Sequence, residues 1–250
     1  MYRVKIRYYE ELNDFISRDQ RKRDIEYSFP GRRSIKDLIE SFGVPHVEVD
    51  LILVNGESVD FNYIVQDGDA ISVYPVFETL NIKGVTRLRK IPLRNIRFVL
   101  DVHLRKLARM LRLLGFDAAY NESSDDSELA LISSEEKRVL LTRDRQLLMH
   151  RTVDRGLYIR NTDPRLQIIE VLDRLDLRNQ CRPFSRCIMC NGKIRKMDFH
   201  GADKEKKSRI PPGVRDWCST YHICSSCEKI YWEGSHYEKL KMFVKKVIDN

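Results

Sequence analysis

The sequence predicts an α/β protein in three segments, and three observations carry that prediction. Residues 1–78 hold alternating, strand-like runs around one short helical run. Between residues 97 and 176 short apolar runs alternate with stretches of helical periodicity, the rhythm of a parallel sheet covered by helices in an α/β/α arrangement. From residue 177 to 250 the chain is organised by cysteines, four of which form two C-x₂-C pairs. Residues 79–96 make the join.

Composition narrows the class. The 250 residues are 42 % hydrophobic and 33 % charged, enough apolar material for real cores. No apolar run approaches the ~20 residues needed to span a bilayer. The start, "MYRVKIRYYEEL", alternates like a strand and lacks a signal-peptide core, so a cytoplasmic, membrane-free protein is expected. The formal charge of +8 is compatible with a polyanionic partner without requiring one.

In the first segment "YRVKIRYY" alternates apolar and charged residues with period two, and "DIEYSFPG" supplies a hairpin partner. Ser34 caps a helix, "SIKDLIESFGV", whose Ile35, Leu38, Ile39 and Phe42 recur at helical spacing until Gly43 stops it. "VDLILVNGESVDF" and "QDGDAISVYPVF" are further strands with turns at Asn55-Gly56 and Asp67-Gly68. This order, together with "LVNGE" and "VQDGDAISVYPV", resembles the β-grasp, ubiquitin-like fold of small sulfur carriers. Those carriers end in a Gly-Gly tail, whereas here the chain runs on as Phe77-Glu78-Thr79. An interaction or positioning module, open to a protein partner, is therefore expected rather than sulfur carriage. The join that follows carries Lys83, Arg87, Arg89, Lys90 and Arg94, and reads either as a solvated linker or as an RNA-contacting strand.

In the second segment "RFVLD" is a short strand ending at Asp101. "LRKLARMLRLLGF" is a helix whose leucines face a core and whose stop is Gly115. "AAY", "SELALISSEEK", "RVLLT", "RQLLMHR", "GLYIR" and "DPRLQIIEVLDRL" continue the strand–helix alternation.

Asp101 and Asp144 each follow an apolar strand directly. In neighbouring parallel strands both would lie at the carboxyl edge of the sheet, where open α/β sheets bind ligands. Asp125 and Asp126 precede a helix and should lie near the same edge. Like charges raise one another's pKa, so such a cluster calls for a cation. Mg²⁺ or Mn²⁺ suits oxygen ligands and would assist attack of water on a phosphodiester. The competing reading makes Asp126 and Asp144 helix N-caps, with His103 a mere neighbour on the turn.

Cys187, Cys190, Cys224 and Cys227 have the spacing of two zinc knuckles. Four thiolates leave no open position, so the zinc is expected to be structural. Cys181 and Cys218 are left over. The basic insertion between the pairs reads as a mobile finger over RNA or a plain surface loop, and Tyr231 and Trp232 as base-stacking or ribbon-packing residues.

Together, "FVLDVHLRKLARMLRLLGFDAAY", "DDSELALISSEEKRVLLTRDRQLL", the C-x₂-C pairs and "IYWEGSH" resemble the PIN-type RNase domain named for the C-terminus of the nematode Mut-seven exonuclease. The resemblance implies a PIN-like Mg/Mn-dependent ribonuclease with a zinc ribbon. Asp101, Asp126 and Asp144 fall at its metal-binding acids, Asp125 is a weaker match and Asp163 a late acid. It also implies that Arg143 and Arg145 meet substrate phosphates. Arg105, Arg109 and Arg112, off the apolar face of their helix, either contact RNA or form a solvated face. The alternative function is a non-catalytic RNA-binding or ribosome-associated protein in which the acids are caps.

Overall fold

The computed structural model describes residues 1–75, 87–88 and 96–249. The basic join, with Lys83, Arg89, Lys90 and Arg94, lies outside the described residues apart from its positions 87, 88 and 96.

The N-terminal elements are β1 (Tyr2–Tyr8), β2 (Ile25–Phe29), α1 (Ile35–Ser41), β3 (Val49–Val54), β4 (Glu57–Ser58) and β5 (Ala70–Pro75). They form a five-stranded mixed sheet in the order β2-β1-β5-β3-β4. β1 and β5 pair in parallel at its centre, flanked by antiparallel neighbours. This is the β-grasp arrangement. Alternation in β1 puts Val4, Ile6 and Tyr8 into the core and leaves Arg3 and Lys5 outside. Ser34 accepts a hydrogen bond from the Asp37 N–H and caps α1, whose Ile35, Leu38 and Ile39 are fully buried. Asn55 and Gly56 both have positive φ (52° and 89°), the conformation a two-residue hairpin between β3 and β4 requires.

Downstream come β6 (Arg97–Leu100), α2 (Arg105–Leu113), β7 (Asp117–Ala119), α3 (Asp126–Glu135), β8 (Val139–Thr142), α4 (Arg145–Leu148), β9 (Gly156–Tyr158) and α5 (Pro164–Arg174). β6, β8 and β9 are parallel, with Phe98 opposite Val139 and Leu141 opposite Leu157. All four residues of β8 are buried, as a strand covered on both faces must be. The last elements are β10 (Ile194–Met197), α6 (Lys204–Ser208), α7 (Pro212–Arg215), β11 (Tyr221–Cys224), β12 (Ile230–Trp232) and α8 (Ser235–Asp249).

The chain forms two compact units, one of Met1–His103 and Ser124–Arg160, the other of Leu104–Ser123 and Asn161–Asn250. In the first, the β-grasp sheet and the parallel strands β6, β8 and β9 belong together. In the second, α2 packs on α5 and β7, and β10, β11 and β12 form an antiparallel sheet. Among the described residues no helix is long and apolar enough to cross a membrane.

The insertion between the cysteine pairs is folded, which corrects the two readings open from sequence. Met197, Ile210, Tyr221, Ile223 and Ile230 make a small core, against which Phe199, Val214 and Trp232 pack. Its apolar residues, spaced between the lysines, hold it in place.

α2 ends at a glycine whose role is steric. Gly115 has φ +94°, and a Cβ there would lie 2.1 Å from the Arg182 carbonyl oxygen. Gly115→Ala should therefore destabilise the chain by roughly 2 to 3 kcal/mol, combining strain with overpacking. Chemical denaturation of the two proteins measures it.

Candidate functional site

The parallel strands β6 and β8 end side by side, and their last residues meet through a hydroxyl. Thr142, fully buried, donates from Oγ1 to Asp101 Oδ2 (2.6 Å) and accepts from the Asp144 N–H (2.9 Å). Asp101 is itself buried, and its other oxygen accepts from the His103 N–H at 3.3 Å. Two acids in different loops are thus joined by one side chain. Thr142 was not singled out from sequence; the signal was present in its position, the last residue of an all-buried strand immediately before the acid loop.

The other acids divide into capped and uncapped. Asp144 is exposed and caps α4, accepting from the N–H groups of Gln146 (2.7 Å) and Leu147 (3.4 Å). At α3 the cap is Asp125, which accepts from the Glu128 N–H at 2.8 Å. The sequence expectation that Asp126 caps α3 is therefore off by one residue: Asp126 is the first residue inside the helix. Its carboxylate has no hydrogen-bond or ion-pair partner among the described residues. Its pKa is raised, first by desolvation and then by the negative charges of Asp144, Asp101 and Asp125, with His150 acting in the opposite sense. The other three acids thus lie close enough to act on Asp126. Among the described residues, however, no three carboxylates converge to within 4.8 Å of one another. Asp163 caps α5, accepting from the Arg165 N–H.

The arginines are more structural than sequence suggested. Arg112 does not lie off the apolar face of α2. It is 4 % exposed, and donates to the carbonyls of Ala118 (2.9 Å), Met189 (2.7 Å) and Ile188 (3.3 Å). Helical spacing alone put it beside Arg105 and Arg109, but three inward-facing carbonyls need a buried donor. Arg143 is half-buried and donates to the carbonyls of Ile159 and Arg160. Arg145 lies over the rings of Phe15 and Tyr158. Arg105 and Arg109 are exposed, Arg105 pairing with Glu122 at 3.3 Å, and with Tyr120 they line a cavity of about 290 Å³.

Cys187, Cys190, Cys224 and Cys227 bring their sulfurs within 4.8 Å of one another. The two knuckles are built alike: the residue after each second cysteine, Asn191 or Glu228, has positive φ and donates its N–H to the first cysteine's carbonyl. Burial pushes the Cys187 thiol up, but the Tyr231 hydroxyl and the N–H groups of Cys190 and Met189 bring it down to about 7. Burial and the neighbouring sulfurs push Cys227 up to about 12. Four sulfurs sharing protons in this way are a donor set for one soft tetrahedral cation. Tyr231 serves the cluster through its 3.0 Å contact with Cys187, and Trp232 packs on the ribbon core. Asn191 and Arg186 both bond Asp117, tying the first knuckle to β7.

Acids at the carboxyl ends of parallel strands, followed by four clustered thiols, define an α/β protein with a cysteine ribbon. Comparison with known families gives the particular one. Residues 96–244 match the Mut7-C RNAse domain and residues 1–81 the Mut7-C ubiquitin domain. The chain belongs to the Mut7-C RNAse domain family and carries a ubiquitin-like domain in front. No curated protein and no solved structure matches it.

Arg112→Ala should leave three carbonyls without their donor and cost roughly 2 to 3 kcal/mol of stability. The cysteine cluster should loosen with it, because Ile188 and Met189 lie between Cys187 and Cys190. Chemical denaturation and the thiol reactivity of Cys187 and Cys190 measure the two effects.

Proposed function

We propose that the chain is a PIN-like, Mg/Mn-dependent ribonuclease in which Asp101, Asp126 and Asp144 hold the ion and Asp125 adds negative charge beside them. The observation that carries this is Asp126: an exposed, uncapped carboxylate without a partner among the described residues, whose pKa is raised by partial desolvation and by the charges of Asp144, Asp101 and Asp125. A carboxylate held among other acids gains from a cation that relieves their repulsion. The donor set is all hard oxygen, which fits Mg²⁺ or Mn²⁺, ions commonly held by one or two carboxylates with retained water. When bound, such an ion supplies positive charge for a developing oxyanion and a more acidic attacking water. The chain's own part is to orient: Thr142 fixes the Asp101 carboxylate, and the backbone of α4 fixes that of Asp144. Arg105 and Arg109, exposed on α2, are suited to RNA phosphates, whereas Arg112, Arg143 and Arg145 are engaged within the protein. The four cysteines hold a structural zinc that keeps the ribbon folded for RNA binding.

A second reading, a non-catalytic RNA-binding or ribosome-associated protein, draws on the capping roles of Asp125 and Asp144 and on the distances between the acids. Asp126→Asn and Asp144→Asn distinguish the two. In the nuclease reading both variants lose most of the thermal stabilisation that Mn²⁺ gives the wild type by binding the folded state. Both should lose RNA cleavage by more than the ~10–100-fold typical of outer-shell partners. In the non-catalytic reading Asn replaces Asp at position 144 with little effect on stability, and the wild type itself shows neither stabilisation by Mn²⁺ nor RNA cleavage.

The pH dependence of Asp126→Asn without metal follows from the sign of its shift. A carboxyl whose folded pKa is raised binds more protons folded than unfolded, so its contribution to stability falls as pH rises between the ordinary and the raised value. The metal-free variant should therefore be more stable than wild type at pH 7. Its advantage should fade as pH falls through the raised pKa toward the ordinary carboxylate range. Melting temperatures across that range test it.

For the ribbon, elemental analysis should find one zinc per chain in wild-type protein and none in Cys190→Ser, whose C-terminal unit should be destabilised in step.

A further inference from the structure

The loop that carries Asp144 has a second support, on the N-terminal domain. Phe15, 5 % exposed, closes a 3-10 turn at Glu10–Phe15, and its ring meets that of Tyr158 edge-on at 5.4 Å. The Arg145 guanidinium lies 5.0 Å from the Phe15 ring centroid and 5.6 Å from that of Tyr158. It also donates to the backbone carbonyls of Phe15 (3.5 Å) and Asp14 (3.4 Å). The Arg160 guanidinium lies 5.5 Å from the Phe15 centroid and pairs with the Asp14 carboxylate at 2.9 Å. Behind them Glu48, its side chain fully buried, accepts from the Tyr158 N–H and faces Arg160 at 3.7 Å.

These contacts bracket one residue. Arg143, on one side of Asp144, is tied to the carbonyls after β9. Arg145, on the other side, is tied to the β-grasp domain. A guanidinium over an aromatic ring is held in plane as well as in distance, so the pair fixes the direction in which α4 leaves the loop.

We propose that the ubiquitin-like domain is a positioning element of the acidic site: Phe15 and Asp14 grip Arg145 and Arg160, and through them set the loop that presents Asp144. Phe15 is the central positioning residue. The proposal rests on the assignment of Asp144 to the metal site, and its first readout is independent of that assignment.

The readout is amide hydrogen exchange at Gln146 and Leu147, the two N–H groups capped by Asp144, in the full-length chain. Phe15→Ala should speed their exchange about tenfold or more, while β1 and β3 amides change by one common, smaller factor. Phe15→Trp, which restores an aromatic face, should restore protection. Because Phe15 also belongs to the domain core, Arg145→Gln gives the same test from an exposed side chain, and the double variant should be no worse than the worse single one. On RNA and Mn²⁺, Phe15→Ala should lower kcat with KM changed less than about twofold, and raise the Mn²⁺ midpoint. Unchanged exchange at Gln146 and Leu147 in both Phe15→Ala and Arg145→Gln overturns the proposal, as does additive behaviour of the double variant. If exchange responds as expected but the wild type neither binds Mn²⁺ nor cleaves RNA, the support stands and the nuclease reading falls.

Discussion

A single buried hydroxyl sets the geometry of the strand ends that carry Asp101 and Asp144. Thr142 has one proton to give and gives it to Asp101, and it accepts the N–H of Asp144 in return. Neither bond can be replaced by water in a position with no solvent access. The tips of β6 and β8 are therefore locked in register beyond their backbone ladder, which already pairs Leu100 with Leu141. Serine would keep both bonds but lose the methyl packing; valine would keep the packing and leave Asp101 with a buried, unmet oxygen. The hydroxyl thus restrains the Asp101 carboxylate and the backbone of Asp144 where the two strands end.

Much of this was legible in the sequence because it is local. Period-two alternation in β1, the Ser34 cap, the Asn55-Gly56 turn and the apolar runs of β6 and β8 are each settled within a few residues. The cysteine spacing works the same way, since each knuckle is a closed turn. What escaped was long-range. Which of two adjacent aspartates caps α3 depends on where the helix axis lies, a matter of packing that moves the start by one residue. Arg112 looked like its neighbours Arg105 and Arg109 until Ala118 and the loop at Met189 supplied the carbonyls that call it inward. Thr142 and Phe15 carry no motif: one acts through a strand more than forty positions earlier, the other through a loop more than a hundred positions later.

The arginines make the same point about charge. A net charge of +8 suggests a basic surface, yet many of the guanidinium groups are turned on the protein's own carbonyls. Arg138 donates to Phe98, Arg143 to Ile159 and Arg178 to Val247, beside Arg112 at the knuckle. Arginine suits this work because its planar fork spans two acceptors and stays charged when buried. Electrostatic attraction for a polyanion still benefits from every such charge, but direct contact falls to the fewer groups left facing solvent.

The interleaving of the two compact units has a consequence for the newborn chain. Leu104–Ser123 belongs with residues that follow Asn161, and Met1–His103 with residues that run to Arg160. Neither unit is complete when its first segment leaves the ribosome. At about 5–20 residues per second, the amphipathic helix α2 waits several seconds with its leucines uncovered before α5 emerges. The acidic edge closes earlier, once β9 is out, so the order of synthesis assembles the acids before the cysteine ribbon exists.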